Sequence, residues 1–434
     1  MSSSYVSKRY LKAYYDNENH SYWIEVPRGW VSVNETSLVR FLMQDGYNKK
    51  PLSDSLLTNV DREIVDIQSN FTVDYAGPIA GWNKDYYEIY GKRILITSSP
   101  NLLAAVEGDW SLFEACIEAL LGRVEHGKTQ VLTWKANDKL FLECLYGQFY
   151  RPGAACCLIG GANAGKSFMQ DRRTTYYGGR VANPWLFIQG KTPFNSELIA
   201  AEHLKVSDPH VYKSEDRADL GDMIKNFLFD EAQSCHGKHQ AAFAVPPRRR
   251  LTLSCNKELH NMIVPSMDAS MLDKMDLNLC SDNSVPPPGY EHIPYGDLVK
   301  KVEAQLPAYV WHLQNEFKIP LELEARRCGV KTWHHPELVQ IINENLKESQ
   351  FEQVMINYQF FQNGPWEGQF NDLMKNLEAI GSNSDVKPFL SKPAMIPFLL
   401  SKLQSRFPDR YLRTGNRTGK KRQGWKILPP QDLN

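Results

Sequence analysis

Eight residues constrain the fold of this chain more than any others: Gly160-Gly161-Ala162-Asn163-Ala164-Gly165-Lys166-Ser167. They fit the pattern G-x-x-x-x-G-K-[ST], in which a glycine-rich turn lets backbone N–H groups wrap a phosphate. The preceding run, Ala154-Ala155-Cys156-Cys157-Leu158-Ile159, is small and apolar, as a buried central strand requires. Ser167-Phe168-Met169-Gln170 can open a helix. Strand, turn and helix N-terminus aim amides and a positive dipole end at one spot, which suits a triphosphate. In that geometry Lys166 reaches the β- and γ-phosphates and the Ser167 hydroxyl ligates Mg2+. ATP and Mg2+ are therefore the expected ligands of the whole stretch from Gly160 to Ser167.

The chain has 434 residues, enough for about two to four domains. Hydrophobic content of 42% and charged content of 23% are ordinary for a globular protein. Fifty basic residues cancel fifty acidic ones, so only a local charge cluster can argue for a nucleic-acid partner. No apolar run is long enough to span a bilayer, and Met1-Ser2-Ser3-Ser4-Tyr5 lacks a signal core, which predicts a cytoplasmic protein without a membrane partner. The eight cysteines form no C-x-x-C pair and sit mostly in apolar contexts, which predicts neither disulfides nor structural zinc. His334-His335 are adjacent, so their side chains diverge on a helix or a strand and do not suit a metal.

Taken in order, residues 1–95 read as a small strand-rich unit. His20–Val26 and Gly29–Val33 are aromatic and β-branched and flank Pro27-Arg28, a hairpin signature. Their aromatics are expected to fill the core of a small sheet. Asn34 and Thr36 cap a helix that ends near Gly46. Residues 96–150 carry helical spacing (Leu112, Phe113, Cys116, Ile117, Leu120, Leu121, then Leu140, Phe141, Leu142, Leu145) and form a small helical, collar-like domain. From 151 to 290 the apolar runs Trp185–Ile188, Ile224–Phe229 and Leu251–Cys255 are read as strands of a mostly parallel α/β sheet. Residues 291–345 form a helical extension. The rest, 346–434, reads as two or three helices followed by a strand-turn-strand, a winged-helix-like DNA-binding domain. From Lys402 to Lys426, nine basic residues face one acid, Asp409. Arg413, Arg417, Lys420, Lys421 and Arg422 lie on this glycine-punctuated hairpin and suit DNA phosphates.

Hydrolysis needs a carboxylate to hold Mg2+ and orient water. Local pattern favours Asp230-Glu231, which follow the apolar run Phe227-Leu228-Phe229; the alternative is Asp208, which ends Ala201–Asp208. The order of Gly160–Ser167, Thr192–Asn195, Glu202–Asp208, Ile224–Asn226, Cys235–Lys238 and Leu251–Asn256 resembles superfamily 3 helicases, in particular the helicase halves of primase–helicases from phages, plasmids and other mobile elements. Asp74–Trp82 and Gly329–Pro336 also resemble that group, so the likeness covers most of the chain.

That resemblance implies an α/β, AAA+-like P-loop ATPase core. It implies Asp208 as the Mg2+ acid, Lys238 on a DNA-tracking hairpin and Asn256 as the sensor that holds the attacking water. The family's adjacent acid pair is replaced by Ser207-Asp208-Pro209, with Glu202 or Glu215 as substitutes for the missing glutamate. Where the family carries an arginine finger, Ser270–Met275 offers Lys274; Arg326, Arg327 and Arg248–Arg250 are alternatives. The implied activity is an ATP-driven helicase working as a ring, a hexamer, moving 3′-to-5′ on single-stranded or forked DNA. The setting is replication of a mobile element, with a primase or polymerase on another chain. An ATP-assembled DNA-binding initiator or scaffold is the alternative, and a defence or packaging ATPase a third.

Overall fold

The computed structural model describes residues 11–50, 57–207, 215–237, 242–257, 264–265, 267, 270–344, 346–358, 360–361, 364–381, 383–414 and 424–429. The chain divides into two compact units, 1–335 and 336–434.

The first unit is built around five parallel strands: β1 (Ala155–Gly160), β2 (Val181–Ala182), β3 (His203–Ser207), β4 (Arg250–Asn256) and β5 (Met275–Leu279). Their order across the sheet is β5-β1-β4-β3-β2. All six residues of β1 are buried. A strand flanked on both edges and covered on both faces reads as a continuous apolar run, which is why it was legible in sequence. Four helices matter for the site: α1 (Gly127–Gly147), α2 (Lys166–Tyr176), α3 (Glu215–Phe229) and α4 (Tyr295–Asn315). The π-helical segment Glu118–Gly122 buries Leu120 and Leu121 beside α1.

Before the core lie two small sheets. Ala13–Asp16, Ser21–Val26 and Gly29–Val33 form an antiparallel meander with Thr72–Val73 added to one edge. Tyr22 and Trp30 are buried there, as packing aromatics. Asn34 caps the next helix by accepting from the Ser37 amide at 2.9 Å. The second sheet, Tyr75–Gly77, Lys92–Ile96 and Asp85–Ile89, shares a core with the hairpin strands Gln233–Cys235 and Phe243–Val245.

Two apolar runs expected as strands are helices. Ile224–Phe229 is the end of α3, where Leu220, Ile224 and Leu228 recur every four residues and are buried. A short apolar run does not separate strand from helix without its upstream period. Trp185–Ile188 is a single helical turn, started by Pro184 and by Asn183 Oδ1, which accepts from the Trp185 amide at 2.9 Å. Local capping there overrides β-propensity.

One buried carboxylate ties the helices together. Asp138 of α1 has no solvent exposure. It pairs with Arg173 at 2.8 Å and accepts from the hydroxyls of Tyr176, Tyr177 and Tyr309 at 2.5–2.9 Å. The Arg173 guanidinium lies 3.3 Å over the Trp134 ring.

The second unit folds around Phe351, Leu373, Leu400, Tyr411 and Trp425. Its elements include α5 (Lys347–Asn357), β6 (Trp366–Gln369), α6 (Phe370–Ile380), α7 (Ile396–Arg406), β7 (Tyr411–Thr414) and β8 (Gly424–Ile427), with the helix Pro336–Glu344 before α5, the short helix Lys387–Ser391 between α6 and α7, and sheet order β6-β8-β7. All eight cysteines are buried free thiols. No helix among the described residues is long and apolar enough to cross a membrane.

The Asp138 cluster yields a stability prediction. Asp138→Ala leaves Arg173 charged and unpaired in the core, at a cost of about 3–5 kcal/mol. Tyr309→Phe removes one hydrogen bond to a charge and costs about 1.5–3 kcal/mol. Urea unfolding of both variants measures the order.

Candidate functional site: the phosphate-binding turn and its strand ends

β1 ends at Gly160 and the chain turns through residues 161–165 into α2. Asn163 and Gly165 take positive φ, 61° and 93°. A Cβ on Gly165 would lie 2.6 Å from Val285 Cγ2, so that position excludes side chains by both backbone and space. Asp282 accepts from the Gly161 amide at 3.2 Å and fixes the start of the turn. The first-turn amides of α2 have no acceptor within the helix and face the turn, as an anion site requires.

Lys166 is 5% exposed. Its Nζ donates to the carbonyls of Gly160 and Gly161 at 3.0 and 2.7 Å, and to Asn256 Oδ1 at 3.3 Å. Asn256 stands at the end of β4, in register with Gly160 at the end of β1. The first residue of α2 and the last residue of β4 thus bring an amine and an amide to one point. Ser167 is exposed beside them. A cleft of about 420 Å³ opens here, lined by Ala162–Phe168, Asn256, Val285 and Tyr295. The buried amine, the open amides and the hydroxyl fit a phosphate with its counter-ion.

α2 also fastens β3. Gln170 donates to Val206 O and Thr252 Oγ1 and accepts from Ser207 Oγ at 2.9 Å. His203 bridges Thr174 and Thr252, each at 2.7 Å. Burial first, then Arg173 and Lys205, hold His203 well below its ordinary pKa, hence neutral.

The sequence-derived site residues distribute as follows. Gly160–Ser167 and Asn256 converge. Asp208 directly follows the end of β3 and, like Lys238, Arg417, Lys420, Lys421 and Arg422, lies outside the described residues. Arg413 is exposed on β7, with its guanidinium 5.1 Å from the Trp425 ring. Lys274 stands at the start of β5, the opposite end of the sheet from Gly160, and bonds Ser270 O and Asp273 at 2.7 and 2.6 Å. Arg327 holds the same Asp273 at 3.0 Å and remains 54% exposed.

Three alternatives are corrected. Asp230-Glu231 follow a helix, not a strand, so they do not end a sheet edge. Glu202 is buried at the start of β3, bonded to Arg180 and the Gly81 amide. Burial raises its pKa against the pull of Arg180, and it is a structural ion-pair partner. Arg248, Arg249 and Arg250 are all buried and bonded to internal acceptors, including Gly81 O, Leu198 O and Arg151 O. His334 and His335 bond separate carbonyls, Met275 and Glu125.

Sequence reasoning missed Asp282, Val285 and Tyr295. They come from a loop and a helix start that carry no phosphate-site pattern. A larger cleft of about 920 Å³ opens between Lys139, Arg151, Phe317 and Arg326, but it contains no part of the phosphate turn.

No protein-family model matches the chain, and no curated protein sequence does. Among solved structures, two apo structures of the NrS-1 C-terminal region match over 96% of both chains, at 10% identity and TM-score 0.56. That is a likeness of fold. The JCV helicase aligns over 58% of this chain at 14% identity and TM-score 0.32, too low to carry an argument.

The turn makes a test of its own packing. Gly165→Ala and Gly179→Ala both force a side chain into positive φ, at about 1–2 kcal/mol each. Only Gly165→Ala also pushes against Val285, since Gly179 has nothing within 4 Å. Urea unfolding is expected to show the larger loss for Gly165→Ala, by about 1–3 kcal/mol.

Proposed function

We propose that the chain is an ATP-dependent DNA helicase of the superfamily 3 type, working as a ring, a hexamer with nucleotide between subunits. The observation that carries this reading is the 3.3 Å approach of Lys166 Nζ to Asn256 Oδ1 at adjoining strand ends beside the α2 N-terminus. The amine neutralises phosphate oxygens, and the amide holds a water against the γ-phosphate. Ser167 and Asp208 hold Mg2+, which supplies charge that offsets the β- and γ-phosphates. The strand order supports Asp208: it leaves β3, whose last residue Ser207 pairs with Ser254, near the level at which β4 reaches Asn256.

The finger acts in trans. Lys274 and Arg327 share Asp273 at the sheet end opposite the phosphate turn, so they serve a neighbouring subunit's nucleotide. Arg327 has the freer head and the bidentate fork.

Lys238 falls between the paired strands Gln233–Cys235 and Phe243–Val245 and tracks single-stranded DNA phosphates. In the second unit helices are followed by the antiparallel pair β7 and β8, which supports a winged helix. There Arg413, Arg417, Lys420, Lys421 and Arg422 grip duplex or forked DNA. The setting is the cytoplasmic replication of a phage, plasmid or mobile element, with a separate primase or polymerase.

A second reading rests on one observation: no described residue lining the cleft is acidic. That suits a DNA-binding scaffold that uses ATP to assemble. Steady-state ATP hydrolysis with and without single-stranded DNA, beside strand displacement on a fork, separates the two. DNA-stimulated turnover and unwinding, both lost in Lys166→Ala, are expected. Intact ATP binding without DNA-stimulated turnover selects the scaffold. Asp208→Asn is expected to abolish turnover and Asp230→Asn to spare it; the reverse refutes the assignment.

A further inference from the structure

The cleft over the phosphate turn is lined by two chemically different sets of side chains. Its polar side chains, Asn163, Lys166, Ser167 and Asn256, belong to the turn, the start of α2 and the end of β4. The other wall is Phe168, Val285 and Tyr295. Val285 is packed onto Gly165, close enough that a Cβ there would collide with it. Phe168 is 5% exposed and has the Arg172 guanidinium 4.9 Å from its ring. Arg172 in turn pairs with Glu303 of α4 at 3.4 Å. The helix that presents Tyr295 is thereby tied to the residue that lies beneath it. Tyr295 meets the Phe168 ring edge-on at 6.3 Å and keeps 62% of its surface open.

A single exposed aromatic needs no explanation on most surfaces. This one differs because its ring lines the same cleft as Lys166, on a floor already fixed by Phe168. With the phosphates on the turn, the apolar lining side chains are what the cleft offers a base. A base meets a π face there. Among the described lining residues none is a carboxylate, and the amide side chains, Asn163 and Asn256, belong to the turn and to the end of β4, where Asn256 bonds Lys166. Stacking is available to every base, whereas discrimination among bases needs donors and acceptors on their edges.

We propose that Tyr295 is the platform on which the nucleobase stacks, and that the site therefore takes nucleoside di- and triphosphates as a class, without selecting adenine. This rests on the phosphate-site reading above and names its substrate range. Purines gain over pyrimidines through larger stacked area alone.

Calorimetric titration of the full chain with ADP, GDP, CDP and pyrophosphate, each with Mg2+, tests it without hydrolysis. Pyrophosphate is the base-free probe. The wild type is expected to bind ADP and GDP within about threefold of each other, CDP more weakly, and pyrophosphate about 5- to 150-fold more weakly than ADP. Tyr295→Ala is expected to lower all three nucleotides toward pyrophosphate and leave pyrophosphate itself unchanged. Tyr295→Phe is expected to restore them. Unchanged nucleotide affinity in Tyr295→Ala, or an equal loss of pyrophosphate, overturns the platform. A preference for ADP over GDP beyond about tenfold in the wild type overturns the class assignment. Failure of the phosphate site reads differently: pyrophosphate and all nucleotides then fail to bind the wild type alike. Lys166→Ala, expected to weaken all four ligands, marks that outcome.

Discussion

The Asp138 carboxylate holds α2, the helix that follows the glycine-rich turn, where it is. It stands on α1, yet three of its four donors come from Arg173, Tyr176 and Tyr177 at the far end of α2, and the fourth from Tyr309 on α4. Burial above all, with the Asp138 charge after it, keeps the three phenols above their ordinary pKa, so they stay donors. A buried charge with every lone pair engaged has one low-energy arrangement, and that makes it a registry device as well as a source of stability. α2 is thus pinned at its C-terminal end to two other helices. Its N-terminal end is free to carry a turn whose amides are left open.

The same helix is pinned a second way, along its length, to the sheet. Gln170, Asp171 and Thr174 meet Ser207, Lys205 and His203 of β3, while Thr252 of β4 completes the ladder. These partners alternate with apolar residues of α2 that face the helical layer, such as Phe168, Met169 and Tyr176. One eleven-residue helix therefore fixes the height of β1, β3 and β4 relative to one another. The ends of those three strands are where the chemistry would be assembled, and none of the fastening residues needs to touch a nucleotide.

Much of this was legible in sequence where the signal was local. The β1–turn–α2 unit, the hairpin at Ser21–Val33 and the paired ends of β7 and β8 all follow from short-range pattern. What was not legible depended on distant residues. Ile224–Phe229 looks like a strand until Leu220 and the rest of α3 supply the helical period. Arg248–Arg250 look like a basic cluster until the fold buries all three against carbonyls. Glu202 looks like a spare catalytic acid until Arg180 and Gly81 claim it. Asp138 and its three tyrosines carry no pattern at all, because two of the three elements involved are separated by well over a hundred residues.

Strand order places the described acids relative to the turn, and no local pattern encodes it. In the sheet β5-β1-β4-β3-β2, β4 lies between β1 and β3. Adjacent strands are about 4.8 Å apart, so the end of β3 is roughly 10 Å across from the end of β1. Asn256 fills the nearer position and touches Lys166. The end of β3, at Ser207, stands one strand farther. An acid after α3 has no such relation to the turn, whatever the apolar run before it looks like. Glu202 fails for the complementary reason: it sits on the correct strand but at its start, about five residues and some 17 Å from the end that matters. Glu202 stands at the end of β3 away from Asn256, and Asp230-Glu231 follow a helix, so neither lies beside the turn.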